Sequence, residues 1–398
     1  TTIVSALVVV LATASASIHA VLSRREVRSS IGWLGLILMV PFVGAVLYAL
    51  FGVNRIHRAA VQLRGDAGRI RYRLAPEATV SVDEELPEHV EDAPAIASVG
   101  RIVSEVTERP LLAGNRVRPL TNGDQAYPAM LEAIAEAEHS ITLCSYIFDN
   151  DWLGQKFVES LADAVVRGVA VRVLIDAAGA RYSWPRIDKA LKQRRVPVAR
   201  FLPMALKRLP YFNLRNHRKI LVVDGEIGFT GGMNIRQAHW VKRARKRPVQ
   251  DIHFELRGPV VSQLQDVFAE DWQFSAGESL VGAPWFTEVA PRGPTLARGI
   301  ADGPDADLDA LNWTILAAVG AARRSVRVVT PYFLPDPLHA RALQLAALRG
   351  VEVDIVVPER SNLPSLVLTE PTPESDVIAP APSRARAPDI KRDTALAP

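Results

Sequence analysis

The sequence predicts an α/β protein: a duplicated α/β sandwich whose second half is incomplete, preceded by a two-helix transmembrane hairpin. Three observations predict it. Two long apolar stretches open the chain, a helix–strand–helix–strand pattern occurs twice, and a cluster of His, Lys, Asp, Gly and Asn follows the first copy. The 398 residues are 48% hydrophobic and 23% charged, which excludes a wholly disordered or collagen-like chain. With 47 basic and 43 acidic residues, the charge is too balanced for a nucleic-acid-binding surface by itself.

The first 53 residues have the character of membrane helices. Residues 1–22 and 29–53 contain no Asp, Glu, Lys or Arg, and each stretch is long enough to cross a hydrocarbon core of about 30 Å. Pro41 lies inside the second stretch, and membrane helices tolerate proline. Trp33 and Tyr48 lie near its two ends, where aromatic residues are expected at the membrane interfaces. Together these features predict a hairpin of two spans.

Arginines on either side of the second stretch indicate its orientation. Six follow it and three precede it, which favours a cytoplasmic position for the chain after residue 54. The six are Arg55, Arg58, Arg64, Arg69, Arg71 and Arg73, and the three are Arg24, Arg25 and Arg28. The alternative for the first stretch is a cleaved signal peptide with Ala14-Ser15-Ala16 as its cleavage site.

The soluble part of the chain repeats itself. Residues 133–176 and 318–358 each contain an Ala-rich helical run, an alternating strand, a second helical pattern and another strand. Each second helix ends in Arg-Gly-Val, with Gly168 and Gly350 where a helix terminus favours a left-handed residue. The strands end in aromatic pairs, Tyr146 with Phe148 and Tyr332 with Phe333. The pattern predicts duplication and mostly parallel strands; the alternative is a chance likeness between two α/β units.

The residues suited to chemistry follow the first copy. His217 and Lys219 stand two residues apart at the entrance of the predicted strand 220–223, so their side chains are expected on the same side. Asp224-Gly225 then predicts a hairpin turn. An imidazole beside an ammonium suits a phosphate diester, because Lys219 can neutralise a phosphate oxygen while His217 attacks phosphorus or moves a proton.

Further residues around this pair are assigned supporting roles. We expect Asn216, Gly231, Gly232 and Asn234 to bind the substrate, the glycines through exposed amides and Asn234 through its side chain. Asp251 opens an alternating strand and is the candidate carboxylate that holds the His217 tautomer. Asp224 is included in the catalytic set, but its parity differs from that of His217, so we expect it to support the turn.

Other signals are weaker or negative. The absence of H-E-x-x-H and H-x-x-E-H patterns argues against a metal, and no cofactor is expected. The single cysteine, Cys144, excludes an internal disulfide. The basic run at residues 242–247 suits either anionic headgroups or a solvated loop.

These residues resemble the phospholipase D superfamily, and closely its bacterial cardiolipin synthase branch. Residues 215–219 and 231–234 are similar to the first HKD motif, residues 48–55 to the end of the N-terminal region, and residues 330–335 to a strand of the second half. The resemblance extends to about residue 363. It implies that His217 takes a phosphatidyl group from one phosphatidylglycerol. A second phosphatidylglycerol then accepts it, giving cardiolipin and glycerol without a metal.

The chain departs from this family in one respect. The family builds one active site from two HKD motifs, and no second H-x-K follows residue 217. We therefore weigh a phosphatidyltransferase completed by a homodimer, a single-motif phosphodiesterase acting on nucleic acid, and an inactive truncated or frameshifted product. The first is preferred, with phosphatidylglycerol and anionic membrane lipid as partners, no nucleic acid, and a multi-pass location in the bacterial inner membrane with a cytoplasmic catalytic part.

The predicted organisation has six parts. The two spans are followed by a juxtamembrane and acidic linker, two halves of the duplicated domain and a disordered tail rich in proline and alanine. Their bounds are 1–22, 29–53, 54–105, 106–290, 291–364 and 365–398.

Overall fold

The structure is a computed structural model that describes most of the chain. The described ranges are 2–22, 27–52, 79–80, 93–107, 109–202, 215–244, 248–302 and 309–358. The predicted disordered tail and most of the predicted acidic linker lie outside these ranges. The described residues form two compact units, one built from residues up to 80 and 109–302, the other from residues 93–107 and 309–358.

The N-terminal residues form helices, but the second apolar stretch is broken at Pro41. Helix α1 spans Thr2–Leu22, α2 spans Val27–Met39, and α3 spans Pro41–Leu47 before a π-helical turn at Tyr48–Gly52. Pro41 starts α3, because a residue without an N–H and with a fixed φ fits the first position of a helix better than its interior. The predicted second span, residues 29–53, is thus divided by a break before Pro41.

The break brings the ends of the second stretch together. The rings of Trp33 and Tyr48 lie 5.4 Å apart, and the Tyr48 hydroxyl is 2.8 Å from Nδ1 of His19 on α1. Any Cβ at Gly44 would lie 2.8 Å from the Cα of Ile37, so glycine permits the close approach of α3 to α2. The expectation that Trp33 and Tyr48 mark two opposite interfaces is therefore wrong. Among the described residues, the structure contains no helix with the length and apolar character of a membrane span.

Part of the predicted linker is helical. Helix α4 spans Ala93–Val106 and packs against α9, Ala310–Ala321, in the second unit. Most of the acidic residues and prolines of the predicted linker, residues 54–105, precede this helix. The apolar face of α4 packs on a neighbouring helix, and this packing stabilises a helix despite the acidic, proline-containing composition around it.

The first unit is built on a mixed sheet. Its described strands follow the order β1-β2-β8-β7-β6-β3-β4-β5, with β9 also paired to β2. They span Thr79–Val80 (β1), Leu111–Thr121 (β2), Ser140–Ser145 (β3), Ala170–Asp176 (β4), Val198–Phe201 (β5), Ile220–Val223 (β6), Ile227–Gly231 (β7), Ile252–Arg257 (β8) and Thr295–Ala297 (β9). Only β3–β4 and β4–β5 are parallel pairs within this sheet. The expectation of mostly parallel strands is wrong, because short turns such as Asp224-Gly225 join neighbouring strands as antiparallel hairpins.

Helices cover both faces of this sheet. In the first unit α5 spans Asn122–Glu136, α6 Trp152–Val166, α7 Ile187–Gln193 and α8 Val261–Ala276. Alternate residues of the central strands divide between the two cores: Leu221 and Val223 pack with α5 and α6, whereas Ile220 and Val222 pack with α8. The predicted α/β architecture is confirmed as helix, sheet and helix layers.

The second unit repeats the central part of the first. Helix α9, strand β10 (Ser325–Val329), helix α10 (Pro337–Leu348) and strand β11 (Glu352–Val356) follow one another, and β10 pairs in parallel with β11 as β3 does with β4. The predicted helix–strand–helix–strand repeat is confirmed. Strand β9 pairs with β2 and belongs to the first unit, which therefore extends beyond the predicted boundary at residue 290.

The two Arg-Gly-Val tripeptides make the same kind of contact in the two repeats. Arg167 donates to the backbone carbonyls of Ile134 and Ala137 at 2.9 and 3.3 Å, at the end of α5. Arg349 likewise donates to carbonyls at the end of α9, including Val319 O at 3.1 Å. The glycines that follow have φ of 91° and 88°, a region that favours glycine. Each arginine therefore joins the second helix of its repeat to the first, α6 to α5 and α10 to α9.

Candidate active site

His217 and Lys219 lie where the chain enters β6, and their side chains meet. Lys219 Nζ is 3.2 Å from His217 Nδ1 and donates to the His217 carbonyl oxygen at 2.6 Å. Lys219 is only 7% exposed, whereas His217 is exposed to solvent. The shared side expected from the two-residue spacing is confirmed, with an accessible imidazole above a buried ammonium.

Tyr146 forms one wall of this pair. Its ring centroid is 4.5 Å from that of His217, and Lys219 Nζ lies 5.4 Å from the same ring. The contact follows from the sheet, because β3 pairs antiparallel with β6 and the exit of one strand meets the entrance of the other. The sequence singled out Tyr146 only as a feature of the repeat.

Burial sets the charge states of the pair. Desolvation lowers the pKa of Lys219 to about 8. Partial desolvation of the ring by its neighbours, and then the charge of Lys219, lower the pKa of His217, while Asp176 acts in the opposite direction. At pH 7 the imidazole is therefore neutral and the ammonium is charged, which provides a nucleophilic ring nitrogen next to a cation.

Two buried carboxylates fix the segment that carries His217. Asp176, at the end of β4, accepts the Asn216 N–H at 2.9 Å. Asp271, on α8, accepts from Asn216 Nδ2 at 2.8 Å and from Arg218 Nη1 at 2.6 Å. The residues on both sides of His217 are thus bonded to buried carboxylates of β4 and α8, and the imidazole between them remains exposed.

Asn216 is consequently a positioning residue in this structure. Its side chain is buried, its Nδ2 is bonded to Asp271 and its Oδ1 accepts the Arg218 N–H at 3.0 Å. The predicted contact of Asn216 with substrate is not supported, because both ends of the amide are used inside the protein. No pattern around the motif pointed to Asp176 or Asp271, which lie far from it along the chain.

The glycine pair allows β7 and β8 to approach each other. Gly231 has φ of 151°, and a Cβ there would lie 2.8 Å from the Cα of His253. A Cβ on Gly232 would overlap the carboxylate of Asp251. The Gly232 N–H donates to Ile252 O at 3.3 Å, so it is not open to a phosphate as expected.

A hydrogen bond to Oδ1 fixes the side chain of Asn234 and leaves its Nδ2 group available as a donor. Its Oδ1 accepts the Ile147 N–H at 3.0 Å, just beyond β3. Its Nδ2 forms no hydrogen bond with the part of the chain that the structure describes. Asn234 is thus an oriented amide donor close to the strand exit that supplies Tyr146.

Asp251 lies near the site but does not contact His217 here. Its Oδ1 accepts the Ile252 N–H at 2.8 Å. Burial raises its pKa, whereas the nearby charge of Lys219 acts to lower it. Within the described ranges the two residues form no hydrogen bond, so the predicted orienting role is not visible in this arrangement.

Asp224 stabilises the hairpin turn. Its carboxylate accepts the backbone N–H groups of Glu138, His139 and Ser140 at 3.0, 2.7 and 2.8 Å. Asp224 and Gly225 have φ of 53° and 69°, as a tight hairpin turn requires. The structure therefore places Asp224 between the β6–β7 turn and the start of β3, which is the supporting position expected for it.

His253 is a site residue that the sequence analysis passed over. It is 2% exposed, its Nδ1 has no hydrogen-bond partner among the described residues, and burial lowers its pKa to about 4. With Ser145 and Lys219 it lines a small cavity, with room for about one water molecule. The signal available was its two-residue spacing from Asp251 along β8.

Part of the basic run also has a defined position. The guanidinium of Arg243 lies 4.8 Å from the ring centroid of Trp240 and 5.8 Å from that of Trp152. Residues 245–247 lie outside the described ranges. The choice between headgroup contact and a solvated loop therefore stays a prediction.

Comparisons with known proteins agree with the geometry. Residues 130–272 match a family described as "Cardiolipin synthase, PLD-like domain", and residues 6–52 match "Phospholipase_D-nuclease N-terminal". The first match contains both the His217 segment and Asp271. The second covers the N-terminal helices.

Curated relatives extend the match along most of the chain. Cardiolipin synthase of Geobacillus thermodenitrificans is 30% identical over 347 residues, covering 86% of this chain and 68% of the relative. Cardiolipin synthase A of Pseudomonas aeruginosa is 33% identical over 356 residues, covering 87% and 70%. A phosphatidylserine synthase structure from Haemophilus influenzae aligns with a TM-score of 0.45 at 14% identity, covering 65% of this chain and 66% of that one. From the curated relatives, this chain belongs to the cardiolipin synthase family of phospholipase D-like phosphatidyltransferases.

Proposed function

We propose that this protein transfers a phosphatidyl group between two phosphatidylglycerol molecules, giving cardiolipin and glycerol. The observation that carries the proposal is the exposed, neutral His217 in contact with the buried, charged Lys219. Family membership supports the choice of lipid. The pair suits a phosphodiester because it offers a nucleophile and a charge that stabilises the phosphate in the transition state.

In the first step a ring nitrogen of His217 attacks phosphorus and the bond to the headgroup glycerol breaks. Nδ1 faces Lys219, so Nε2 is the nitrogen available for attack. Attack through Nε2 requires the proton on Nδ1, held by an acceptor. The charged Lys219 ammonium cannot accept that proton, so we propose that in the reacting complex the ring turns Nδ1 from Lys219 to the Asp251 carboxylate, which accepts it. The departing glycerol oxygen takes a proton from a general acid, and glycerol leaves.

In the second step a hydroxyl of another phosphatidylglycerol attacks the phosphatidyl-histidine. That hydroxyl loses its proton to the same acid–base group, the P–N bond breaks, and His217 returns to its free form. Lys219 and Asn234 Nδ2 donate to the phosphate oxygens in both steps. Gly231, Gly232 and Asn216 act indirectly, by shaping the strand ends and holding the His217 segment.

We also propose that a second copy of this chain supplies the missing acid. Among the described residues, no second histidine forms a hydrogen bond or ring contact with His217. A homodimer with the two sites facing each other would provide one, since a two-fold axis brings the same residue from each subunit to one place.

Attachment to the bacterial cell membrane belongs to the same proposal. Large apolar side chains of the N-terminal helices are exposed, among them Ile3, Val4, Val10, Leu22 and Met39. A contiguous apolar surface of this kind is unfavourable in water and favours lipid. We propose a multi-pass N-terminal region that holds a cytoplasmic catalytic part at the bilayer.

The test is product formation by the purified full chain. Protein in mixed micelles with phosphatidylglycerol should form cardiolipin and glycerol, and His217→Ala should abolish both. His139→Ala is the matched control, because His139 is exposed and only its backbone N–H and C=O form the hydrogen bonds described for it. Cardiolipin formation by His217→Ala would contradict the mechanism. No product from the unaltered chain would favour an inactive truncated product.

A further inference from the structure

The loop between β4 and α7 exposes two aromatic side chains. Tyr182 is 61% exposed and Trp184 is 82% exposed. Rings of this size are usually at least partly covered in a soluble domain, because each buries a large apolar area when it packs. Their exposure as near neighbours in one short loop therefore points to contact with something outside the chain.

This loop borders the proposed nucleophile. The Tyr182 ring lies 6.4 Å from that of Tyr146, and Tyr146 lies 4.5 Å from His217. A surface that rests on the two exposed rings would therefore lie beside the imidazole.

The charge of the loop is positive on its accessible side. Arg181 and Lys189 are exposed, and Arg186 is half-buried. Lys189 Nζ lies 5.3 Å from the Trp184 ring. The one acidic residue of the stretch, Asp188, is buried beside Arg186 at 3.3 Å. Accessible cations thus surround the aromatic side chains, and the negative charge is turned inward.

The backbone of the loop is fixed, so the exposure of the rings is part of the fold. Ser183 Oγ accepts the Asn150 N–H at 2.9 Å, and Asn150 Nδ2 donates to Pro185 O at 2.8 Å. These bonds attach the loop on both sides of Trp184 to the residue before the cap of α6. The ring is held outward.

We propose that Tyr182 and Trp184 dock the catalytic face onto the phospholipid bilayer, with the rings at headgroup level and Arg181 and Lys189 on anionic phosphates. This inference rests on the proposed function, for which the substrate must be reached at a lipid surface. Tyr and Trp favour the membrane–water interface, and each nearby cation contributes about 1 kcal/mol on an anionic leaflet. Docking places the headgroup phosphate next to His217.

The position of Trp184 can be measured without any activity. Full-length protein is reconstituted in phosphatidylglycerol-containing vesicles with lipids brominated close to the headgroup. The emission of Trp184 is obtained as the difference between the unaltered chain and Trp184→Phe. We expect this difference signal to be quenched by the brominated lipid. A Trp184 signal equally bright in brominated and ordinary vesicles would overturn the proposal.

A second experiment separates docking from a structural role. Trp184→Ala should lower the rate on vesicle phosphatidylglycerol about tenfold and leave the rate on a dissolved short-chain phosphatidylglycerol nearly unchanged. Val166→Ala is the control, since Val166 is 86% exposed at the far end of α6 and should affect neither rate. Equal losses on both substrates would mean that the loop shapes the site, and would overturn docking. If the unaltered chain has no activity, the proposed function fails, while the quenching result still decides whether the loop docks.

Discussion

A lysine ammonium held out of water is the chemical centre of the proposed site. Lys219 is surrounded by β3, β6 and β8 residues, and its charge faces His217 and the ring of Tyr146. Desolvation brings its pKa into the range where the protein operates. Its protonation therefore governs whether the site can bind and stabilise a phosphate.

The first prediction concerns pH. Because the pKa of Lys219 is lowered to about 8, kcat/KM should fall as pH rises through about 8 and the ammonium is lost. The pKa of His217 is lowered. The nucleophilic imidazole should therefore stay neutral at pH values below the usual pKa of histidine, and its loss by protonation should slow the reaction only at still lower pH. In Lys219→Arg the alkaline fall should disappear from this range, since a guanidinium stays charged.

The control for this experiment is Lys242→Arg, at an exposed lysine whose backbone N–H bonds to Asp124. That variant should keep the pH profile of the unaltered protein. An alkaline limb that remains near pH 8 in Lys219→Arg would assign it to another group.

At the scale of elements, the site depends on joints between strands that are distant in sequence. Asp224 joins the β6–β7 turn to the start of β3, and Asp271 joins α8 to the entrance of β6. Both carboxylates accept several hydrogen bonds, and leaving such donors without a partner is costly. His217 is therefore positioned by elements that make no contact with substrate.

The second prediction tests the joint at Asp224. Asp224→Ala leaves the three N–H groups at the start of β3 without their acceptor, which should lower the free energy of unfolding by about 2 kcal/mol. Hydrogen exchange of residues 138–140 should accelerate. Glu226→Ala is the control, because its ion pair with Arg292 is exposed and surface pairs contribute little. Equal effects of the two variants would contradict the structural role of Asp224.

Features that depend on residues close together in the sequence could be predicted, whereas contacts between residues far apart in the sequence could not. The pairing of His217 with Lys219 and the helix–strand repeat depend on neighbours along the chain, and both were predicted. The partners Asp176 and Asp271 and the contact between Trp33 and Tyr48 depend on how separate elements pack. Local patterns carry no information about such pairs, so the two carboxylates were not predicted and the two aromatic rings were expected at opposite ends of a span.

At the scale of the whole molecule, the proposed reaction needs more than one histidine. The described site contains one imidazole in contact with Lys219, and the proposed acid comes from a second subunit. Each working site would then contain one His217 from each of two chains.

The third prediction follows from this arrangement. When unaltered and His217→Ala chains are coexpressed in equal amounts, random pairing leaves about one quarter of dimers with two histidines, and the specific activity should fall to about that fraction. Mixing with His139→Ala chains should leave activity unchanged. An activity of about one half, measured as cardiolipin formed per chain, would show that each chain acts alone.

The arginine of each Arg-Gly-Val tripeptide also bears on the order in which the chain folds. Arg167 bonds to carbonyls 30 and 33 residues earlier, and Arg349 to carbonyls 27 to 30 residues earlier. The entropy cost of closing a loop grows with its length, and contacts of shorter sequence separation favour fast folding. Each repeat can thus acquire its helix–strand–helix core soon after it leaves the ribosome. Strands β6, β7 and β8, which align the nucleophile, follow the first repeat along the chain, so that repeat can offer β3 as an edge on which β6 pairs.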